Sequence, residues 1–207
     1  MTTQYVAFIA DVVASRALGA RRAALQQGVR DATRAFNTRF RRDLAARFAV
    51  TLGDELQGLF TSAARVWEVS HALRLRFPTV EWVVACGRGA LATPLRPGAT
   101  APELDGPCFH AARAALERAK RTGQVFAFEG FDSGIVACAS YYSALYRGWT
   151  TRQRSVATAQ RAHPAAQLDE LARLLHVVPS AISHLRRRMA WPLVSQGDKV
   201  FQELLVR

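Results

Sequence analysis

One carboxylate, Asp11, interrupts the first apolar run of the chain, Tyr5 to Val13. A short apolar run of this kind predicts a strand that is buried on both faces. An aspartate in such a strand is costly to bury unless a partner compensates its charge. Further along, two more apolar runs flank a tight Gly53-Asp54-Glu55 turn (FAVTLGDELQGLF), which predicts a β-hairpin with Asp54 at a strand end.

Asp11 and Asp54 are candidate ligands for a divalent metal ion. If the hairpin lies beside the first strand, the two carboxylates converge and bind Mg²⁺ or Mn²⁺, and the metal in turn binds a nucleotide triphosphate. In the turn after the first strand, Ser15 and Arg16 are the candidate phosphate-binding residues. The alternative is that Asp11 caps a turn and Asp54 only makes the hairpin turn, and the residues alone favour this alternative.

The order of the hydrophobic patterns predicts an α/β (α+β) fold, a sandwich of one mixed sheet with helices packed on it. Gly87 and Gly89 in the third apolar region indicate a bulge or a close backbone approach. From about residue 132 the pattern is helical, so we predict a first domain over 1–135 and a helical domain over 136–207. The predicted elements of the first domain are a strand over 5–13, a helix over 20–47, strands over 48–52 and 56–60, a helix over 62–77, a strand over 80–92, a helix over 108–122 and a strand over 124–128.

The segment 167–190 has the pattern of a helix-turn-helix unit. Ala172 lies in one apolar stripe, Ile182 and Leu185 lie in the next, and His176 stands at the turn where a glycine is usual. The second helix then exposes six candidate DNA-binding residues: Ser180, Ser183, His184, Arg186, Arg187 and Arg188. The alternative is a helical hairpin that packs on the sheet domain and leaves its arginines solvated.

The charge of the chain favours a polyanionic partner. The formal net charge is +12, and all of the cationic residues except Lys120 and Lys199 are arginines. Residues 140–207 hold ten of these cations and only four acidic residues, so the density of positive charge is higher there than in the rest of the chain. DNA binding requires such a footprint. The alternative is an arginine bias spread over a solvated surface.

Cysteine usage and hydropathy predict a cytoplasmic location with no membrane partner. Three widely spaced cysteines form neither a CxxC pair nor a zinc-binding pattern, which fits a reducing compartment. The first apolar run has no basic segment before it, contains Asp11 and is too short to span a bilayer. We therefore expect neither a signal peptide nor a transmembrane segment.

Four segments resemble, in their order, the catalytic domains of class III nucleotidyl cyclases: FIADVV, TLGDELQGLF, VVACGRGAL and DGPCFHAARAALERAK. Those domains carry an F-A-D-[IV] strand, a G-D hairpin, a [IV]-G-I-x-x-G strand and a G-x-x-[VF]-N-x-A-x-R helix. The whole chain is also similar to the SatD family, through IADVVASR, VTLGDELQGL and the last of the four segments. The cyclase resemblance implies a ferredoxin-like palm in which Asp11 and Asp54 bind the metal, and a site at the interface of a homodimer.

The chain departs from the cyclase pattern at two positions. His110 stands where cyclases have an asparagine, and Ala114 stands where they have the arginine that stabilises the transferring phosphate. Arg113 is one residue away, which on a helix rotates the side chain by about 100°. Positioning and charge stabilisation supply most of the rate of phosphoryl transfer, so we do not expect a competent cyclase. His110 and Arg113 are the candidate catalytic replacements in a rearranged site.

Three functions remain open at this point. The first is a DNA-binding transcriptional regulator whose palm binds a nucleotide or divalent metal or mediates dimerisation. The second is a Mg²⁺-dependent nucleotidyl cyclase or nucleotidyltransferase with a helical appendage. The third is a structural partner protein in which both sites have been lost. We expect the first, because the missing cyclase residues count against the second.

Overall fold

A computed structural model describes residues 2–13, 19–51 and 54–207. Within these ranges one sheet contains the strands β1 (Tyr5–Val12), β2 (Leu44–Thr51), β3 (Glu55–Phe60), β4 (Trp82–Gly89) and β5 (Phe126–Glu129). The α-helices are α1 (Arg21–Arg39), α2 (Val66–Arg76), α3 (Pro107–Thr122), α4 (Ser133–Gly148), α5 (Thr151–Ala162), α6 (Leu168–Leu175), α7 (Pro179–Arg188) and α8 (Trp191–Val206). A short 3₁₀ helix spans Ala101–Glu103.

The strand order in the sheet is β2-β3-β1-β4-β5. β1 lies between β3 and β4 and is antiparallel to both, and β2 is antiparallel to β3. The run β1-α1-β2-β3-α2-β4 is therefore the split βαβ arrangement of a ferredoxin-like palm. After β4, helix α3 crosses over to β5, which extends the sheet in parallel with β4. The predicted α/β fold with one mixed sheet is confirmed.

Helices cover both faces of the sheet. Along β1, Val6, Phe8 and Ala10 face a core that includes side chains of α1, α2, α4 and α8. The alternate residues Ala7 and Ile9 face a second core, built largely against α3. All five side chains are at most 2% exposed, so the prediction that this strand is buried on both faces is confirmed.

The predicted helix over 20–47 is wrong in its last part. Helix α1 ends at Arg39, and Leu44, which continues the helical spacing, is the first residue of strand β2. Leu44 pairs with Phe60 in the sheet, and Phe48 packs edge-on against the rings of Phe8 and Phe60. The hydrogen bonds of the strand and this aromatic packing outweigh the helix preference of the alanines in the segment.

The last five helices divide between two cores. Ser143 of α4 accepts hydrogen bonds from the backbone N–H groups of Val125 and Phe126, and Phe201 of α8 lies in the core beneath the sheet. By contrast, α5, α6 and α7 surround a third core that includes Trp149, Ile182 and Trp191. Helices α4 and α8 thus share the core of the palm, and the domain boundary after residue 135 stays a prediction.

None of the helices within the described ranges combines the length and the apolar composition that crossing a membrane requires.

Candidate functional site

The charge of Asp11 is compensated by a lysine on the helix that crosses the sheet. Asp11 follows Ala7 and Ile9 in the alternation of β1, so it lies on the same face of the sheet as α3. There its Oδ2 forms an ion pair with Nζ of Lys120, and the aspartate side chain is only 15% exposed. The ion pair with Lys120 offsets most of the free-energy cost of burying a carboxylate in an apolar strand.

A second acid on the same face has the same kind of partner. Glu55, the first residue of β3, accepts hydrogen bonds of 2.6 and 2.8 Å from the guanidinium of Arg113 on α3. It also accepts hydrogen bonds from Thr51 and Gln57. Burial by itself raises the pKa of Glu55, but these donors outweigh burial, so the pKa lies below its usual value. Glu55 is therefore ionised at neutral pH and bound to Arg113.

Sequence reasoning missed this arrangement. Arg113 and Lys120 are seven residues apart on α3, about two helical turns, so both reach the sheet from one side of the helix. Asp11 and Glu55 directly follow and precede the last paired residues of β1 and β3, Ala10 and Leu56. The one signal in the sequence was the seven-residue spacing of Arg113 and Lys120, two of the four cations of this alanine-rich helix.

Asp54 lies in a different environment. It is 6% exposed, and its Oδ1 is 3.9 Å from Nη2 of Arg22 on α1. Its Oδ2 is buried and has no hydrogen-bond partner among the described residues. Asp54 thus has its cation on α1 and Asp11 has its cation on α3, helices that cover opposite faces of the sheet.

In the described part of the chain, no group of three or more His, Cys, Asp or Glu side chains is arranged to hold a metal ion. The Asp11 and Asp54 metal site stays a prediction.

The two candidate catalytic residues of the palm, His110 and Arg113, lie on helix α3. His110 lies in the first turn of α3, where its Nε2 is 2.9 Å from Oδ1 of Asp105, and its side chain is 71% exposed. Arg113, the other candidate catalytic residue, is held by Glu55. Ser15 and Arg16, the candidate phosphate-binding residues, lie outside the described residues.

Helices α6 and α7 follow one another with a short turn between them, and their role as a helix-turn-helix unit stays a prediction. Ala172 and Ile182 are buried at 3% and 0% exposure, and Leu185 is half-buried. The turn begins at His176, whose φ of 54° and ψ of 46° lie in the left-handed region that favours glycine. Of the six candidate DNA-binding residues, Arg186 is half-buried and the others are exposed: Ser180, Ser183, His184, Arg187 and Arg188.

The strand order and the crossover helix define a ferredoxin-like palm domain, followed here by a helical segment. The model of the SatD family matches residues 5–124, which run from β1 through α3, and the chain belongs to this family. Helices α6 and α7 lie outside the matched residues.

Two of the solved structures to which the chain is similar have the following likeness to it. One is the structure of a bacterial light-regulated adenylyl cyclase, with 12% identity, a TM-score of 0.45, and coverage of 62% of this chain and 76% of that chain. Another is the GGDEF domain of a Pseudomonas aeruginosa protein, with 16% identity, a TM-score of 0.40, and coverage of 63% and 84%. A search of the curated proteins finds no match.

Proposed function

We propose that the chain is a DNA-binding regulator and that α7 is the helix that enters the major groove. The observation that carries this proposal is the exposure of one face of α7. Ser183, His184 and Arg187 are exposed, whereas Ile182 packs in the core formed with α5 and α6. In such a unit the polar side chains near the helix start contact base edges, and the arginines contact phosphates or guanines.

The charge of the chain supports the same function. Arg186, Arg187 and Arg188 form the last turn of α7, on a chain with a net charge of +12. Cations at phosphate distance release counterions from DNA, which supplies most of the affinity for any sequence. The polar face of α7 then adds the sequence-dependent part.

The palm domain serves this regulator as a binding or dimerisation domain. A cyclase needs acids that are free to bind its metal ions and a cation that is free to stabilise the transferring phosphate. In this chain Asp11 is paired with Lys120, and Arg113 is paired with Glu55. Both ion pairs keep these residues from the roles that catalysis requires. The palm therefore binds a nucleotide or a divalent cation, or dimerises with a second copy of the chain, without turnover.

Replacing Arg186, Arg187 and Arg188 together by alanine is expected to weaken DNA binding by about 100-fold or more, since each lost contact is worth about 1 kcal/mol or more. The measurement is an electrophoretic mobility shift with promoter fragments at low salt. A matched control replaces three exposed arginines of the palm, Arg41, Arg42 and Arg96, and removes the same charge. Absence of a shift with the wild-type chain, or equal weakening by the control, would contradict the proposal.

A second candidate function is a Mg²⁺-dependent nucleotidyl cyclase or nucleotidyltransferase. The environment of one atom, Oδ2 of Asp54, favours it. Oδ2 of Asp54 is buried without a partner among the described residues, and a buried carboxylate oxygen is costly unless a donor or a cation satisfies it. Asp54 would hold such a cation from the hairpin, and Asp11 would have to leave Lys120 to join it.

Incubation of the chain with Mg²⁺ or Mn²⁺ and each nucleoside triphosphate is expected to give no cyclic nucleotide and no pyrophosphate, because of the two ion pairs described above. The measurement is chromatography of the nucleotides after long incubation. A product that is lost in Asp11→Asn and Asp54→Asn, but kept in the exposed-pair control Asp31→Asn, would replace the regulator by the enzyme.

A further inference from the structure

Arg74 on α2 carries a buried charge for which no acidic side chain among the described residues forms an ion pair. It is 3% exposed, and its Nη2 donates a 2.9 Å hydrogen bond to the carbonyl oxygen of Val125. Its guanidinium carbon lies 4.6 Å from the ring centre of Phe126 and 4.9 Å from that of Tyr146. Its Nε is buried and has no hydrogen-bond partner in the described part of the chain.

This charge is not removed by deprotonation. Burial lowers the pKa of Arg74, and the nearby Tyr146 opposes that change. An arginine still remains protonated at neutral pH because its guanidinium is the most basic of the ionisable side chains. Among the described residues a carbonyl and two aromatic rings lie against the guanidinium of Arg74 and no acid forms an ion pair with it, so an anion beside it is favoured.

Arg74 lines a cavity of about 550 Å³ between the ends of β1 and β4 and the helices α3, α4 and α5. The other cations in its wall are Lys120, Arg147 and Arg154, and its acids are Asp11 and Glu81. The wall therefore has two more positive than negative charges. Neither Asp54 nor Glu55 lines this cavity, which meets the candidate functional site at the ion pair of Asp11 with Lys120.

Backbone carbonyls hold two of these cations in place, and one of the two, Arg154, also forms an ion pair with Glu81. Arg154 donates to the carbonyl oxygens of Trp149 and Arg147, in addition to a 3.2 Å contact with Glu81. Arg147 donates a 2.7 Å hydrogen bond to the carbonyl oxygen of Gly123. Fixed guanidinium groups of this kind are suited to a phosphate group, which accepts two hydrogen bonds from one arginine.

A second cavity, of about 710 Å³, shares Arg74, Glu81, Tyr146 and Arg154 with the first. Its far wall consists of residues of α6 and α7, and it includes the apolar side chains Leu175 and Leu185. A larger share of its surface is apolar than in the first cavity. The two cavities together offer a cationic end and an apolar end on either side of Arg154.

We propose that these two cavities bind a phosphate monoester, with the phosphate against Arg74, Arg147 and Arg154 and the organic group in the apolar cavity beside α6 and α7. The phosphate supplies, beside the buried guanidinium of Arg74, the negative charge that the wall lacks. The proposal does not depend on DNA binding, because all of its ligand contacts are within the chain.

The test is isothermal titration calorimetry of the full chain with phenyl phosphate and with inorganic phosphate, at about 0.15 M salt to screen the general surface charge. We expect phenyl phosphate to bind, and to bind at least about tenfold more tightly than inorganic phosphate because its ring is buried. Arg154→Gln and Arg147→Gln are each expected to weaken binding by about tenfold or more. Arg96→Gln, which removes an exposed charge from a loop outside both cavities, is expected to leave it unchanged.

A site-specific reading comes from Trp82, which lines the first cavity and whose buried Nε1 has no partner among the described residues. Its indole ¹⁵N–¹H resonance, assigned by its loss in Trp82→Phe, is expected to shift on addition of phenyl phosphate.

Failure of the wild-type chain to bind phenyl phosphate would overturn the proposal. Equal loss of affinity in Arg96→Gln would overturn it too, by showing that the anion binds to the general charge. Equal affinities for the two probes would overturn the assignment of the apolar cavity.

Discussion

Gly87→Ala is expected to lower the free energy of unfolding by about 3 kcal/mol or more. A Cβ atom at Gly87 would lie 2.2 Å from the backbone nitrogen of Ala112 and 2.2 Å from the carbonyl oxygen of Cys108. Both are backbone atoms of α3, so no side-chain rotation can relieve the contact. The helix has to move away from β4, which opens the core between α3 and the sheet.

The matched control for this substitution is Gly148→Ala. Gly148 lies at the exposed end of α4, and a Cβ there meets no atom within 4 Å. Alanine at this helical position is expected to be neutral or to stabilise by up to about 1 kcal/mol. Urea denaturation followed by circular dichroism measures both variants. Equal stabilities would show that α3 does not need its close approach to β4.

The same substitution links the fold to the candidate site. Helix α3 carries Arg113 and Lys120, the cations that neutralise Glu55 and Asp11. A helix displaced by Gly87→Ala cannot keep a bidentate hydrogen bond with both distances below 3 Å. The glycine therefore sets the position of the two ion pairs as well as the packing of the core.

The parts of the fold that the sequence predicted well are those with local signals. The close approach at Gly87 was indicated by a glycine in an apolar strand, and it is confirmed. Helix α3 was predicted over 108–122 and spans Pro107–Thr122. Its ends are marked by a proline in the first turn and by Gly123, which adopts a φ of 68° at the C-terminal cap.

The parts that could not be predicted depend on residues far apart in the chain. Leu44 fits a helical spacing, and only its pairing with Phe60 makes it part of a strand. Glu55 and Arg113 are 58 residues apart, and the sequence around neither residue indicates the other as its hydrogen-bond partner. The position of Arg74 is of the same kind, because its burial depends on helices α4 and α5 arriving from later in the sequence.

Arg161 is one of the residues that link the helical segment to the palm. Its side chain is 4% exposed, and its Nε and Nη2 donate hydrogen bonds of 2.8 and 2.9 Å to the carboxylate of Asp198. The guanidinium carbon also lies between 5.1 and 5.7 Å from the centres of four aromatic rings: Trp67, Tyr142, Trp149 and Trp191. These partners belong to α2, α4 and α8 and to the junction between α4 and α5, so one side chain joins the palm core to the core that α5, α6 and α7 surround.

Arg161→Leu is expected to lower the free energy of unfolding by about 3 to 5 kcal/mol, because it leaves the carboxylate of Asp198 unpaired in a largely buried place. The measurement is urea denaturation, with Arg34→Leu as the matched control. Arg34 also pairs with an aspartate, Asp31, but at an exposed site, so its loss is expected to cost less than about 1 kcal/mol.

The double variant Arg161→Leu, Asp198→Leu separates the two causes of this loss. If the unpaired carboxylate is the main cost, removing both charges recovers part of the stability, since replacing a buried pair by apolar groups is often close to neutral. If the contacts with the four aromatic rings are the main cost, the double variant is as unstable as Arg161→Leu. A small effect of Arg161→Leu, similar to that of Arg34→Leu, would contradict the role of Arg161 as a link between the two cores.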